Sequence, residues 1–302
     1  MADTLTANVA ESVVEIVDAT IELIPHKAVM PSLAVKKTIP KGHDRIEIPR
    51  VNTTSTVQTP TEGDEIVVTS QFDLTSTTIQ PTHRVIMVRI HERATYFSKE
   101  DTIALISEEM AQTEAQDMDL DLLAEFANFG LSESLTGFAG GTTVDLTYAD
   151  LRAARRGLLS NTRANGGPAP GRIYGVLGPA QEEDLFENLG ALGVGGVTAA
   201  NAVQAIPSGI SQEIIMQYAI PNNAVAGISL FRDGYMTEDA NGDSRIGVFS
   251  EKALYLAIAK DWDMKTFEVP NWVGPILRAT ADYNSGVGAY PNWGLGGLVN
   301  GL

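Results

Sequence analysis

Three groups of residues have types and spacing that could do chemistry. Asp239, Asn241 and Asp243 stand at alternate positions, the 1, 3, 5 spacing by which a calcium loop presents oxygen ligands. The pattern then fails. Ser244 sits where such a loop needs glycine, and Ser250 where it needs a bidentate glutamate. Asn241-Gly242 fits a hairpin turn better. These residues are the metal candidate of the sequence, and the expectation is no metal, no cofactor and no catalytic residue. Glu108, Glu109, Glu114, Asp117, Asp119, Asp121 and Glu125 form the second group. A di-iron centre in a helix bundle uses Glu-x-x-His, and no histidine falls in this stretch. The reading is a solvated helix face, with Glu108, Glu109 and Glu114 available to contact a neighbouring chain or a basic partner. Arg152, Arg155 and Arg156 form the third group. Three and four apart, they share one helix face. They could hold an anion or phosphate, but ion pairing with an acidic neighbour is the simpler reading.

Nothing else assembles a reaction centre. His26, His43, His83 and His91 are never four apart, and nothing nominates a base for a serine triad. Without cysteine there is no disulfide, thiol nucleophile, CxxC pair or cysteine zinc site. Walker, HExxH and GxSxG motifs are absent, and Gly193-Val194-Gly195-Gly196 follows a helical pattern, not a strand. The 302 residues carry a net charge of −17, which argues against a dedicated nucleic-acid binder. Residues 96–135 alone hold one basic and ten acidic groups. The start, Met1-Ala2-Asp3-Thr4-Leu5, lacks the basic region of a secretory signal, and no stretch offers the ~18 apolar residues of a membrane helix. The expectation is a soluble protein made in a cytoplasm, with no membrane partner.

The elements that must position these groups follow from periodicity. Leu5, Val9, Val13 and Ile16 have helical spacing until Pro25 and Pro31 interrupt it. Asp44–Val51, Glu65–Thr69 and Arg84–His91 read as strands. The polar excursion Thr53–Asp64 between them is too long for a compact domain and suggests a loop lying on another subunit. Ser98–Asp101 is a capping-box variant opening a helix of about 30 residues, with Ile103, Ile106, Met110, Met118, Leu122, Phe126 and Phe129 as its stripe and Gly130 as its stop. Thr147–Asp150 caps a second helix. Arg172–Gly178, Val225–Phe231, Ile246–Phe249, Lys265–Val269 and Ile276–Tyr283 read as strands, Ser250–Ala259 as a short helix, and the end as a glycine-rich tail.

This order resembles the Hong Kong 97-type major capsid protein of tailed bacteriophages. The likeness rests on Leu33–Gly42 with Ile46–Arg50, on Thr61-Glu62-Gly63-Asp64, on Met110–Phe126, on Leu146–Arg155 with Tyr174–Pro179, on Gly247–Leu254 and on Arg278–Val287. The resemblance implies an α+β fold with an N-terminal arm (1–40), an extended β-loop (41–95), a peripheral-domain spine helix (96–139), an axial domain (140–260), and returning strands with a C-terminal tail (261–302). It implies contacts to other subunits or a scaffold at Pro60, Glu62 and Asp64 in the loop, at the spine-helix glutamates, and at the three arginines. It also implies pentamers and hexamers in an icosahedral head around double-stranded DNA that is not specifically bound. Its expected partners are a separate scaffolding protein, a portal and cement proteins; its location is the virion, assembled in the host bacterial cytoplasm. Some family members cross-link a loop lysine to a neighbour. Here Lys36, Lys37 and Lys41 lie at the loop base and positions 52–83 hold no lysine, which argues against that chemistry. The rivals are an encapsulin-type nanocompartment shell, which resembles the same fold, and a soluble α/β enzyme.

Overall fold

The computed structural model describes residues 28–51, 57, 59, 61–62, 73–91, 102–131, 146–185, 224–236, 243–268 and 274–300. The expected helix at Leu5–Ile16, the strand at Glu65–Thr69, the Ser98–Asp101 cap, Gly193–Gly196, His26, Pro60, Asp64, Asp239 and Asn241 lie outside them. Among the described residues no helix is long and apolar enough to cross a membrane.

Two sheets carry the chain. The first has four strands: β1 (Val35–Thr38), β4 (Thr82–Arg89), β9 (Leu254–Glu268) and β10 (Pro275–Val287), in the order β1-β9-β10-β4. β9 and β10 form a long antiparallel hairpin, β4 pairs antiparallel with β10, and β1 runs parallel to β9. The second has five strands: β5 (Ile173–Leu177), β6 (Ala224–Val225), β7 (Ile228–Arg232), β8 (Asp243–Ser250) and β11 (Gly294–Asn300), in the order β11-β8-β5-β7-β6. β2 (Ile46–Val51) and β3 (Leu74–Ile79) make a separate antiparallel hairpin.

Helix α1 (Met30–Leu33) is one turn long, α2 (Thr102–Ala124) runs 23 residues, and α3 (Tyr148–Leu159) runs 12. α2 contains no glycine or proline and is rich in Ala, Leu, Met, Gln and Glu, so its propensity supports about 35 Å of helix. It is buried against more than one neighbour. Met110 and Ile106 pack on Leu277, Ala279, Ile86 and Val88 of the four-stranded sheet, while Leu122 and Phe126 pack on Met30, Val176 and Phe249. Two separate contacts explain why its apolar stripe is interrupted between Met110 and Met118. The helix tightens into a 3-10 turn at Glu125–Asn128, and its end rests on the second sheet. Gly130 does stop it, though not as a left-handed cap, since its φ is not positive. A side chain there would collide with Asn292, and its N–H donates to the Pro291 carbonyl at 2.9 Å.

α3 is capped as its sequence demands: the Thr147 hydroxyl accepts from the Asp150 N–H, and the Asp150 carboxylate accepts from the Thr147 N–H at 3.0 Å. Leu151, Ala154 and Leu158 bury one face of it on Ile173, Ile228, Ile246, Val248 and Leu295.

Three expectations need correction. Ser250–Ala259 is not a helix. Residues 251–253 form a turn and β9 begins at Leu254. Both faces of β9 are covered at this end, Leu254 packing with Leu122 and Phe126 and Ala257 with Ile39 and Ile79, so its apolar run is nearly continuous, which periodicity alone cannot tell from a buried helix. It also runs straight across position 260. Val225–Phe231 is not one strand but a hairpin, folded at Ala226 (φ 55°) and Gly227 (φ 78°). Two successive positive φ values are what a tight two-residue hairpin turn requires. The glycine-rich end, through Asn300, is a strand. A side chain at Gly294 would collide with the Phe129 ring, and one at Gly296 with the Phe126 carbonyl, so these glycines serve close approach and not freedom.

Gly296→Ala is therefore expected to lower stability by at least about 2 kcal/mol, because backbone and not a flexible side chain must move. Gly157→Ala, inside α3 with only Leu131 nearby at 3.9 Å, is expected to raise it by roughly 0.5–1 kcal/mol. Thermal or denaturant unfolding of the two variants checks the pair.

Candidate functional site

The acids of α2 do not share one solvated face. Asp117, Asp121 and Glu125, spaced by four, point at the four-stranded sheet. Arg84 of β4 pairs with Asp121 and lies 3.6 Å from Asp117, with its guanidinium 5.5 Å from the Tyr283 ring centre. The Tyr283 hydroxyl donates to Asp117. Ser285 donates to the Asp121 carbonyl at 3.1 Å and to Glu125 at 3.4 Å. Burial and the Asp117 and Asp121 carboxylates hold the Tyr283 phenol far above its ordinary range. Burial works against charge on Arg84, but Asp121 and Asp117 outweigh it and raise its pKa. Burial, with Asp117 and Glu125 beside it, raises Asp121 despite Arg84. These acids fasten the helix to the sheet.

Asp119 faces elsewhere and is fully buried, as is Asp233, just beyond β7. Asp119 accepts the Met30 N–H at 2.8 Å, and Asp233 accepts the Tyr235 N–H at 2.9 Å. Burial first, then a hydrogen bond and charge repulsion with Asp233, push Asp119 up to about 8. Asp119 thus favours its protonated form beside Asp233, where α1, α2 and the end of β7 meet.

Glu108 and Glu109 are exposed. Glu114 is half-buried, and burial together with Asp261 of β9 raises its pKa. The three arginines do share one side of α3. With Tyr148, Leu159, Ser160 and Ala226 they line an open groove of about 550 Å³. Glu62 is exposed, as are Val51 and Leu74 where the β2–β3 hairpin leaves the body. The hairpin base is pinned: Tyr290 donates to the Val51 carbonyl at 3.2 Å, and Arg50 lies 5.3 Å from the Tyr290 ring centre. Ile79 is buried with Ile39 and Ala257, and a side chain at Gly286 would strike it at 2.7 Å. Asp243 starts β8, and among the described residues no group of three His, Asp or Glu is placed to hold a metal ion. His83 meets Asp282 at 2.5 Å across β4 and β10.

Sequence reasoning missed Arg84, Tyr283, Tyr290, Asp233 and the distinct role of Asp119. The i, i+4 spacing of Asp117, Asp121 and Glu125 was the available signal; their basic partner lies on a strand 37 residues before Asp121.

No family model matches the chain, and no curated protein matches it. Solved structures do. The capsid of cyanophage P-SCSP1u aligns at TM-score 0.63 and 16% identity, over 90% of this chain and 88% of that one. A structure from Mycobacterium phage Che8 aligns at TM-score 0.64 and 12% identity, over 90% and 91%. The SrpI encapsulin complex from Synechococcus elongatus PCC 7942 aligns at TM-score 0.53 and 8% identity, over 88% and 85%. The chain therefore has the α+β fold of phage capsid proteins, in agreement with the resemblance seen in its sequence.

The buried Asp119 carboxyl makes stability depend on pH. A carboxyl raised in the folded state to about 8 binds a proton there that the unfolded chain has already released. Stability accordingly falls as pH rises from the ordinary carboxylate range to about 8. Asp119→Asn, which keeps a neutral hydrogen-bonding group, is expected to flatten that slope and to leave the variant more stable than the parent at pH 9. Melting temperature measured from pH 5 to 9 checks this.

Proposed function

We propose that this chain is a major capsid protein that builds an icosahedral shell around double-stranded DNA. One observation carries the reading: about nine-tenths of the chain superposes on the capsids of three phages at TM-scores of 0.60 to 0.63, and on the capsid of a native GTA particle at 0.60. In this reading residues 1–40 are the arm, 41–95 the extended loop, 96–139 the spine of a peripheral domain, 140–260 the axial domain, and 261–302 the returning strands and tail. Tyr290 holds the β2–β3 hairpin at Val51, and Val51, Leu74 and Glu62 are exposed, which supports a loop directed at a neighbouring subunit. Function comes from surfaces and not from a catalytic pocket. Subunits form pentamers and hexamers, a separate scaffold guides them, and portal and cement proteins complete a virion assembled in the host cytoplasm.

An encapsulin-type shell is the second reading, favoured by the match to SrpI at TM-score 0.53. Nucleic acid inside particles purified from the source supports the first reading; enzyme cargo supports the second. Electron microscopy and gel filtration of the expressed chain are expected to reveal large closed particles once a scaffold is supplied. A 32.3 kDa species that never assembles would defeat both shell readings.

The exposed acids of α2 have a role in this reading. Glu108 and Glu109 repel packaged DNA or dock a basic scaffold segment, while Glu114, half-buried beside Asp261, contributes less. Glu108→Lys with Glu109→Lys is expected to reduce scaffold uptake or genome release several-fold. Unchanged values in both assays would count against that role.

A further inference from the structure

We propose that the groove between α3 and the β6–β7 turn receives the acidic outer end of the β2–β3 hairpin from a second copy of this chain. The proposal rests on the shell reading and names the partner surface for its loop.

The groove is basic and unpaired. α3 carries Arg152, Arg155 and Arg156 against one acid, Asp150, which the capping box occupies. All three arginines are exposed, and none forms an ion pair with another described residue. Arg155 is oriented by donating to the Ala226 carbonyl at 3.0 Å, and Arg152 sits 5.9 Å from the Tyr148 ring centre. Such holds order the guanidinium groups without neutralising them, which lowers the entropy lost on binding a carboxylate. Leu159 is 43% exposed beside them. Arginine and tyrosine around an apolar contact is the composition of a protein interface, more than of a site for free phosphate.

The occupant follows from charge and reach. Between Val51 and Leu74 the sequence holds Glu62, Asp64, Glu65 and Asp73 and neither lysine nor arginine, followed after Glu65 by Ile66-Val67-Val68. Acids beside a short apolar run match arginines beside an exposed leucine. Val51 and Leu74 are 43% and 54% exposed, so the hairpin leaves the body at that end. Eleven residues on each side of the connection extend at most about 36 Å, enough to reach an adjoining subunit. Double-stranded DNA fits less well, because a chain of net charge −17 repels a long polyanion more than it repels a loop bearing a few acids.

The test uses the full chain with whatever scaffold the parent needs. One variant reverses the groove (Arg155→Glu, Arg156→Glu) and another reverses the loop (Glu62→Arg, Asp64→Arg). Each alone is expected to yield at least tenfold fewer particles, with a melting temperature close to the parent's. An equimolar mixture is expected to yield several-fold more particles than either variant alone, because wherever the two alternate each variant's loop meets the other's groove with opposite charge; a contact within one chain would not be rescued by mixing. A groove variant that assembles like the parent overturns the proposal, and so does a mixture that stays unassembled. Loss of binding to a duplex oligonucleotide by the groove variant, with assembly unchanged, also overturns it and assigns the groove to nucleic acid. A parent chain that forms no particles removes the shell reading and this proposal together.

Discussion

The structure depends on how closely the end of α2 can approach strands β8 and β11. Phe126 is buried, and its ring lies over Gly247, where an added Cβ would meet it at 2.6 Å. Its carbonyl occupies the space that a side chain at Gly296 would need, and Phe129 does the same at Gly294. Phe126, Phe129 and Phe249 then stack with ring centres 5.6 to 5.8 Å apart. Aromatic burial of this kind contributes a few kcal/mol per ring. Its larger consequence is geometric. α2 lies along the four-stranded sheet and ends on the five-stranded one, and those sheets share no strand. Three missing side chains let one helix set the angle between two bodies.

That dependence explains what could be read in the sequence. α2, the cap at Thr147, β5 and the β2 and β4 strands declare themselves locally, through periodicity and capping chemistry. The glycine-rich end did not, because glycine carries the same letter whether it supplies freedom or room. Nor did Leu254–Ala259, whose apolar run reflects cover on both faces of β9, supplied by Leu122 and Phe126 on one and by Ile39 and Ile79 on the other, all distant in sequence. The three arginines of α3 were legible as a group because helical spacing brings them together. The contacts of Arg84 and Asp233 were not, since each is made by residues distant in sequence.

The net charge of −17 reads differently once its acids have positions. The acidic density of residues 96–135 first suggested one solvated face. In the fold it divides by direction. Asp117, Asp121 and Glu125 are spent on Arg84, Tyr283 and Ser285, holding helix to sheet. Asp119 is turned inward to Asp233 and the backbone of α1. Among the described acids of this stretch, only Glu108 and Glu109 remain fully outward. The described outward acids of α2 therefore lie in its first half.

A buried carboxyl pair is an unusual choice at a junction of three elements, because a pair of apolar residues would hold it more cheaply. What the acids add is direction: each carboxyl accepts a specific backbone N–H, from Met30 and from Tyr235, which an alkyl side chain could not do. The α1 turn is thereby oriented against α2 by the Met30 bond, while the Tyr235 bond shapes the loop after β7 from within. Protonation of Asp119 removes the charge repulsion that its carboxylate would meet from Asp233. The same helix thus registers one sheet through ion pairs on one side and α1 through the buried Asp119 carboxyl on another, with the aromatic contact at its end fixing the approach to the second sheet.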